Sequence, residues 1–489
     1  MGPYLSSKIM GGTMDGERFD LLILGGGPGG YPAAIHASQL GLKVAVVEKY
    51  KVGGTCLHWG CIPTKVILES AEILTNARDA KEYGVSVGEV ALDYGVVAQR
   101  RERVVGQLHR GTQGLLKSNG VTTYIGEGKL TSPTSVSVQL ADGAGAVDLS
   151  ATDLIIATGS VPKSLPGINI DGNRIINSDH AVTLPEAPKS VIIIGAGAIG
   201  VEFASAWKDM GADVTVVEVL PRLVPLEDRE IGEELGKQFN RRGIRALVGA
   251  KVALDSVQLY HDHVELEVET NRLRERLSAE RLLMATGRAG VTSGIGLEGL
   301  GVKIERGFIQ VDGQMRTGVP HLYAIGDVVG GLMLAHKATH EGFVAVEAIK
   351  GTNPHPLDQN RVPRCTYCRP QIASVGLGEE EAVQKGHRVK VGKFPFAANA
   401  MATILGERVG FAKIVSDEET LEILGVHLMG PRVTELISGA ALAKLLESTP
   451  EEIALNVFPH PTLSEALGEA AHDVEGQAIH FFKPKQPVG

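Results

Sequence analysis

The sequence predicts an α/β protein: two Rossmann-like dinucleotide-binding domains, one inserted into the other, followed by a C-terminal α+β domain. Three observations carry this. A strand–turn–helix–strand pattern occurs twice at a constant offset of 170 residues. Each copy is followed downstream by an apolar strand that closes in Ala-Thr-Gly, at 157–159 and 285–287. From about residue 360 onward the alternation gives way to mixed strands and then helical periodicity, as over 432–447.

In the first copy an apolar strand, Leu21–Gly27, runs through Gly25-x-Gly27-x-x-Gly30 into a helix, and a second strand ends at Glu48. In the second copy Val191–Gly197 runs through Gly195-x-Gly197-x-x-Gly200 and ends at Glu218. Strands apolar on both faces fit the buried interior of a parallel sheet. The first glycine permits the tight turn, the second lets backbone approach a pyrophosphate, and the third packs helix on strand. The phosphates then face the helix N-terminus. Glu48 and Glu218 stand where a carboxylate accepts hydrogen bonds from ribose hydroxyls. One such motif is weak evidence; two complete copies imply two dinucleotides.

The expected organisation is a loose tail over 1–17, with Met14 a candidate start, then a first nucleotide-binding segment over 18–160. An inserted second nucleotide domain spans 161–288. The first domain resumes over 289–358 through Ala324-Ile325-Gly326-Asp327, and a C-terminal domain covers 359–489.

Composition excludes several classes. At 489 residues the chain is too long for one core. A net charge of −9 with dispersed basic residues leaves no footprint for nucleic acid or an electrostatic membrane anchor. No apolar run reaches the roughly eighteen residues that would span a bilayer, and the first seventeen lack a signal-peptide core, so a cytoplasmic setting is expected. The chain has only 4 cysteines, which is not a disulfide framework; close pairs in such a protein are catalytic or metal-binding more often than structural.

Two of them, Cys56 and Cys61, fall just after Glu48 in Gly53-Gly54-Thr55-Cys56-Leu57-His58-Trp59-Gly60-Cys61-Ile62-Pro63-Thr64-Lys65. A regular helix would separate these Cα atoms by about 8.7 Å, whereas a disulfide tolerates at most about 7 Å. Gly60 and Pro63 favour a distorted helical turn here. Buried reduced thiols are the plain alternative; a metal site lacks two further ligands at suitable spacing.

This stretch resembles the redox-disulfide motif of the pyridine nucleotide-disulfide oxidoreductases, and Ile62-Pro63-Thr64-Lys65 leans toward their dihydrolipoyl-oxidising branch. The resemblance covers about residues 18–480. It implies FAD on the first repeat, NAD on the second, a redox-active Cys56–Cys61 disulfide, and a homodimer built on the C-terminal domain. Cys56 would exchange with a substrate thiol and Cys61 would sit against the flavin. Lys65 matches the family lysine beside the flavin, Glu202 its partner, and Asp327 the aspartate on the ribityl chain. Thr158 and Gly159 would join the FAD site and Gly287 the NAD site. His460-Pro461-Thr462-Leu463-Ser464-Glu465 matches the family's acid–base stretch. Alone it would read as an ordinary turn. The resemblance makes His460 the base and Glu465 its orienting carboxylate, both serving the partner subunit's site. An imidazole titrating near neutrality suits deprotonation of a dithiol.

The expected reaction is oxidation of a dihydrolipoyl group, carried by a lipoyl domain, with reduction of NAD+. Reduction of another small disulfide such as glutathione's with NAD(P)H, or a non-catalytic sensor of the nucleotide ratio, are the alternatives. Glu218 favours NAD over NADP, although Arg222 lies four residues on. Phe458 stands where many family members carry a second histidine, and Thr339-His340 occupies a variable spot in the 335–342 segment. Cys365 and Cys368 sit three apart on an expected strand, facing opposite ways, and read as structural thiols.

Overall fold

A computed structural model describes residues 17–270 and 274–482. The expected tail at 1–17 therefore lies, but for residue 17, outside the described residues. The first repeat folds as β1 (Arg18–Leu24), α1 (Gly30–Gln39) and β2 (Val44–Glu48). Two helices, α2 (Gly54–His58) and α3 (Cys61–Asp79), follow at once, then the long α4 (Tyr94–Ser118). β3 (Thr122–Ser132), β4 (Ser135–Leu140) and β5 (Ala146–Ile156) form an antiparallel meander. The ends of β3 and β5 extend past β4 and join the parallel sheet, β3 against β2 and β5 against β1. Leu21, Leu22, Ile23, Val46, Ile155 and Ile156 are almost fully enclosed, as strands covered on both faces require.

The second unit begins with β6 (Ser160–Pro162), β7 (Ile175–Asn177) and the short α5 (Ser178–Ala181). β8 (Ser190–Ile194), α6 (Ala198–Asp209) and β9 (Asp213–Glu218) reproduce the first repeat. α7 (Arg229–Arg241) and β10 (Arg245–Val248) lead to the meander β11 (Lys251–Leu259), β12 (Val264–Glu269) and β13 (Arg274–Ala279). β14 (Arg281–Met284) completes a sheet of order β10-β9-β8-β14-β7. Its core gathers Val191, Ile193, Trp207, Val214 and Leu283. The returning strand β15 (Arg288–Gly290) pairs antiparallel with β6, so the insertion leaves and re-enters through one two-stranded link.

After the small hairpin of β16 (Ile304–Glu305) and β17 (Phe308–Ile309), β18 (Leu322–Ala324) rejoins the first sheet alongside β5. α8 (Ala335–Ile349) packs on α1, where Gly342 lets the helix backbones approach: a Cβ there would meet Ala33 and the Gly29 carbonyl at 3.0 Å. The C-terminal sheet has order β19-β20-β23-β22-β21. Its strands are β19 (Arg364–Thr366), β20 (Gln371–Gly376), β21 (Val389–Pro395), β22 (Phe411–Asp417) and β23 (Ile423–Gly430). α9 (Glu379–Gln384) and α10 (Ala400–Ile404) lie between strands, while α11 (Val433–Leu445), α12 (Pro450–Leu455) and α13 (Glu465–Val474) close the chain. Among the described residues no helix is long and apolar enough to cross a membrane.

Candidate functional site

The two cysteines are bridged, with Cα atoms 4.7 Å apart. The helix that would hold them apart is broken: α2 stops at His58, Gly60 adopts φ −134° and ψ −112°, and α3 restarts at Cys61. Pro63 falls in the first turn of α3, where its missing N–H costs nothing. The distortion expected from Gly60 is therefore a complete interruption of the helix. The turn is also seated on the first glycine motif. Gly53 N–H donates to the Gly26 carbonyl at 2.8 Å, and a Cβ on Gly54 would strike Gly27 Cα at 2.7 Å. Both cysteines are half-buried. His58 Nε2 and His109 Nδ1 converge on the Val52 carbonyl at 3.0 and 3.1 Å, tying α4 to this turn; burial, then the His109 charge, holds the His58 imidazole below its ordinary pKa.

Lys65 lies one helical turn after Cys61, on the same face of α3. Its Nζ is 2.8 Å from each carboxylate oxygen of Glu202 on α6. Glu202 is 4% exposed, and a carboxylate so enclosed needs partners; it has a third in the Tyr367 N–H at 2.9 Å.

The two glycine turns are near copies. Gly25 and Gly195 take φ of +113° and +103°, conformations that exclude a side chain. A Cβ at Gly30 or Gly200 would collide with the Gly25 or Gly195 carbonyl, whereas one at Gly197 would meet only open space. That clear backbone cradle at a helix N-terminus fits a pyrophosphate. Glu48 accepts from Gly26 N–H at 2.8 Å and Tyr50 N–H at 2.9 Å. Glu218 accepts from Ala196 N–H and Leu220 N–H at the same distances. Sequence reading placed these carboxylates at a ribose but missed that each also braces its own glycine turn. Arg222 reaches Glu380 at 3.4 Å.

Thr158 donates to the Val291 carbonyl at 2.8 Å, and Gly159 and Gly287 have φ of +73° and +98°. Asp327 accepts from Ser160 Oγ at 2.5 Å, with Arg288 at 3.9 Å. The turn before it is held by Glu341, which accepts from Gly326 N–H at 2.8 Å and pairs with the fully buried Lys337. Thr339 donates to the Pro28 carbonyl at 2.7 Å, so the 335–342 segment fastens α8 to the first glycine turn.

His460 and Glu465 stand together but elsewhere. His460 Nδ1 lies 2.8 Å from Glu465 Oε1, and Thr462 N–H donates to the other oxygen at 2.8 Å. Burial opposes the charged carboxylate, but the Thr462 N–H and His460 outweigh it and hold Glu465 below its ordinary pKa. The His460 side chain is 70% exposed. It lines a groove with Phe458, Glu469, His472 and His480 that contains neither Cys56 nor Cys61. A second pair, His480 Nδ1 and Glu469 Oε1 at 2.8 Å, occupies the same groove; sequence reading missed it because the two residues stand eleven apart on different segments.

Cys365 and Cys368 are unbridged. The strand expected to hold both ends at Thr366, because the chain reverses through 367–370 to pair back as β20. Burial pushes their thiols up to about 11 and about 12 respectively, as fits structural thiols.

Residues 19–342 match the pyridine nucleotide-disulphide oxidoreductase family model, and residues 362–471 match that family's dimerisation domain. The dihydrolipoyl dehydrogenase of Bacillus subtilis is 48% identical over 471 residues, which cover 95% of this chain and 99% of that one. The dihydrolipoyl dehydrogenase of Zymomonas mobilis is 45% identical over 469 residues, covering 95% of this chain and 100% of that one. Among solved structures, LpdA from Mycobacterium tuberculosis superposes with a TM-score of 0.85 at 29% identity, covering 93% of this chain and 99% of that chain. The dimerisation domain supports a homodimer. On these matches the chain belongs to the pyridine nucleotide-disulphide oxidoreductases, enzymes that carry FAD and NAD.

Proposed function

We propose that this enzyme oxidises the dihydrolipoyl group of a carrier domain, in a 2-oxo acid dehydrogenase complex or a glycine cleavage system, in the cytoplasm. The balance is dihydrolipoyl + NAD+ → lipoyl + NADH + H+. The carrying observation is the Cys56–Cys61 disulfide seated on the first glycine turn, one helical turn from the Lys65–Glu202 pair.

A substrate thiolate attacks the Cys56 sulfur of the bridge and displaces Cys61 as the inner thiolate; the second substrate thiolate then closes the lipoyl disulfide and displaces Cys56. Gly25, Gly27, Gly30, Glu48, Thr158, Gly159 and Asp327 hold FAD, with Lys65 beside it. FAD supplies a two-electron relay between a thiol couple and a hydride acceptor. Gly195, Gly197, Gly200, Glu218 and Gly287 hold NAD. The Glu218 carboxylate repels a 2′-phosphate, and Arg222 is engaged by Glu380 rather than free to bind one, which supports NAD over NADP. His460 of the partner subunit takes the dithiol proton, oriented by the partner's Glu465; the exposure of this pair, in a groove apart from the disulfide, supports a shared site.

Turnover of dihydrolipoamide with NAD+, compared with oxidised glutathione and NADPH, tests the assignment. Preference for the second couple would make it a reductase of another disulfide. Inactivity with both would leave a nucleotide sensor.

A further inference from the structure

The Cys365–Arg369 segment, whose two cysteines are unbridged, makes a different use of Tyr367, one of the two residues between them. Tyr367 lies just past β19 of the C-terminal sheet, where its side chain meets Thr434 of its own domain, and it also reaches the nucleotide-binding helices. Its N–H donates to Glu202, and its ring lies under the Lys65 ammonium, with Nζ 4.6 Å from the ring centroid. Two residues on, Arg369 N–H donates to Ser205 Oγ at 2.9 Å, a second tie to α6. Both Lys65 hydrogen bonds among the described residues go to Glu202. The carboxylate fixes the nitrogen from one direction only, and the lysine side chain is 34% exposed.

We propose that Tyr367 is a positioning residue for Lys65. The negative face of the ring attracts the ammonium that Glu202 also holds. Ring and carboxylate together hold one rotamer of a long side chain that otherwise keeps its rotational freedom. The ring enters from the dimerisation domain, so the charge beside the cofactor is set by three separate parts of the chain: α3, α6 and the end of β19. This rests on the reading of Lys65 as the residue beside FAD. An ammonium held there favours the added negative charge of the reduced cofactor; loosening it disfavours that state.

The test alters the electron density of the ring without altering its size. Tyr367→Phe is compared with the same position carrying difluoro- and pentafluorophenylalanine, all as the FAD-loaded dimer. The readout is the reduced-to-oxidised flavin ratio at a fixed NADH:NAD+ ratio under anaerobic conditions, alongside the melting temperature. Tyr367→Phe keeps the ring face and should stay within about twofold of the unaltered protein. Progressive fluorination should lower the ratio stepwise, by roughly three- to tenfold for the pentafluoro ring, with the melting temperature unchanged. A flat fluorination series would overturn the proposal, as would a drop for Tyr367→Phe equal to that of the pentafluoro ring. An unaltered protein that purifies without flavin would overturn the underlying reading first, before any variant is compared.

Discussion

The Nδ1 atom of His460 and the Oε1 atom of Glu465 stand 2.8 Å apart, at the start of α13, with Thr462 N–H on the second carboxylate oxygen. A carboxylate on Nδ1 fixes which ring nitrogen carries the proton and leaves Nε2 free to act as the proposed base. His460→Gln should lower dithiol turnover by about 10²- to 10⁴-fold, the usual contribution of a general base. Glu465→Gln should lower it less and shift the pH–rate profile, since the Glu465 carboxyl is held below its ordinary pKa and stays charged across the working range. Steady-state rates from pH 5 to 9 check both; an unshifted profile for Glu465→Gln speaks against an orienting role.

The interruption of the helix at Trp59 and Gly60 brings the Cα atoms of Cys56 and Cys61 to 4.7 Å. Gly60→Ala should disfavour this geometry, because the added Cβ would stand 3.1 Å from the Thr55 carbonyl oxygen. Slower reoxidation of the cysteine pair, followed by thiol titration, is expected. Reoxidation at the unaltered rate would mean that the turn needs no glycine.

Lys413 of β22 is 1% exposed and sits among three carboxylates: Asp228 at 3.1 Å, Glu230 at 3.0 Å and Glu379 at 2.7 Å. Burial opposes charge on Asp228 and on Glu230, but His427 and Lys413 on the one, and Lys393 and Lys413 on the other, prevail and lower both pKa values. Their folded values lie below the unfolded ones, so the stabilisation is present above about pH 4 and is lost as pH falls through the folded values. Lys413→Met should remove about 3–5 kcal/mol by leaving the buried Asp228 carboxylate without its ion-pair partner. Urea unfolding at pH 7 measures the loss. A change below about 1 kcal/mol would contradict the electrostatic role of the cluster.

Cys365 and Cys368 should resist alkylation in the native state at pH 8, since burial lifts their thiols to about 11 and about 12. Peptide mass mapping after brief iodoacetamide treatment, with the 56–61 bridge first reduced, should find label on the bridge cysteines. Equal label on Cys368 would mean that this buried segment opens readily.

Local and repeated features were legible in the sequence. The βαβ units announced themselves because each glycine has a backbone reason to be there, and the 170-residue offset doubled the signal. Gly60 and Pro63 foretold the distorted turn. What stayed hidden was contact between distant segments. Nothing near Tyr367 in sequence indicates that its ring lies under Lys65, 302 residues earlier. Lys413 reads as one more strand residue until Asp228 and Glu379 arrive from elsewhere. Glu48 and Glu218 were identified for one partner, a ribose, while the braces to Gly26 and Ala196 depend on how the turn folds back over the strand end.

The most direct test follows the two sulfurs through one turnover. The oxidised protein is mixed anaerobically with dihydrolipoamide without NAD+, quenched with an alkylating agent, and the peptide spanning 52–65 is weighed. Cys56 and Cys61 should both carry label, and adding NAD+ before the quench should restore the unlabelled bridge with about one NADH formed per bridge. An unlabelled peptide, or NADH formed at the ordinary rate by a Cys56→Ser, Cys61→Ser variant, would contradict electron transfer through this disulfide.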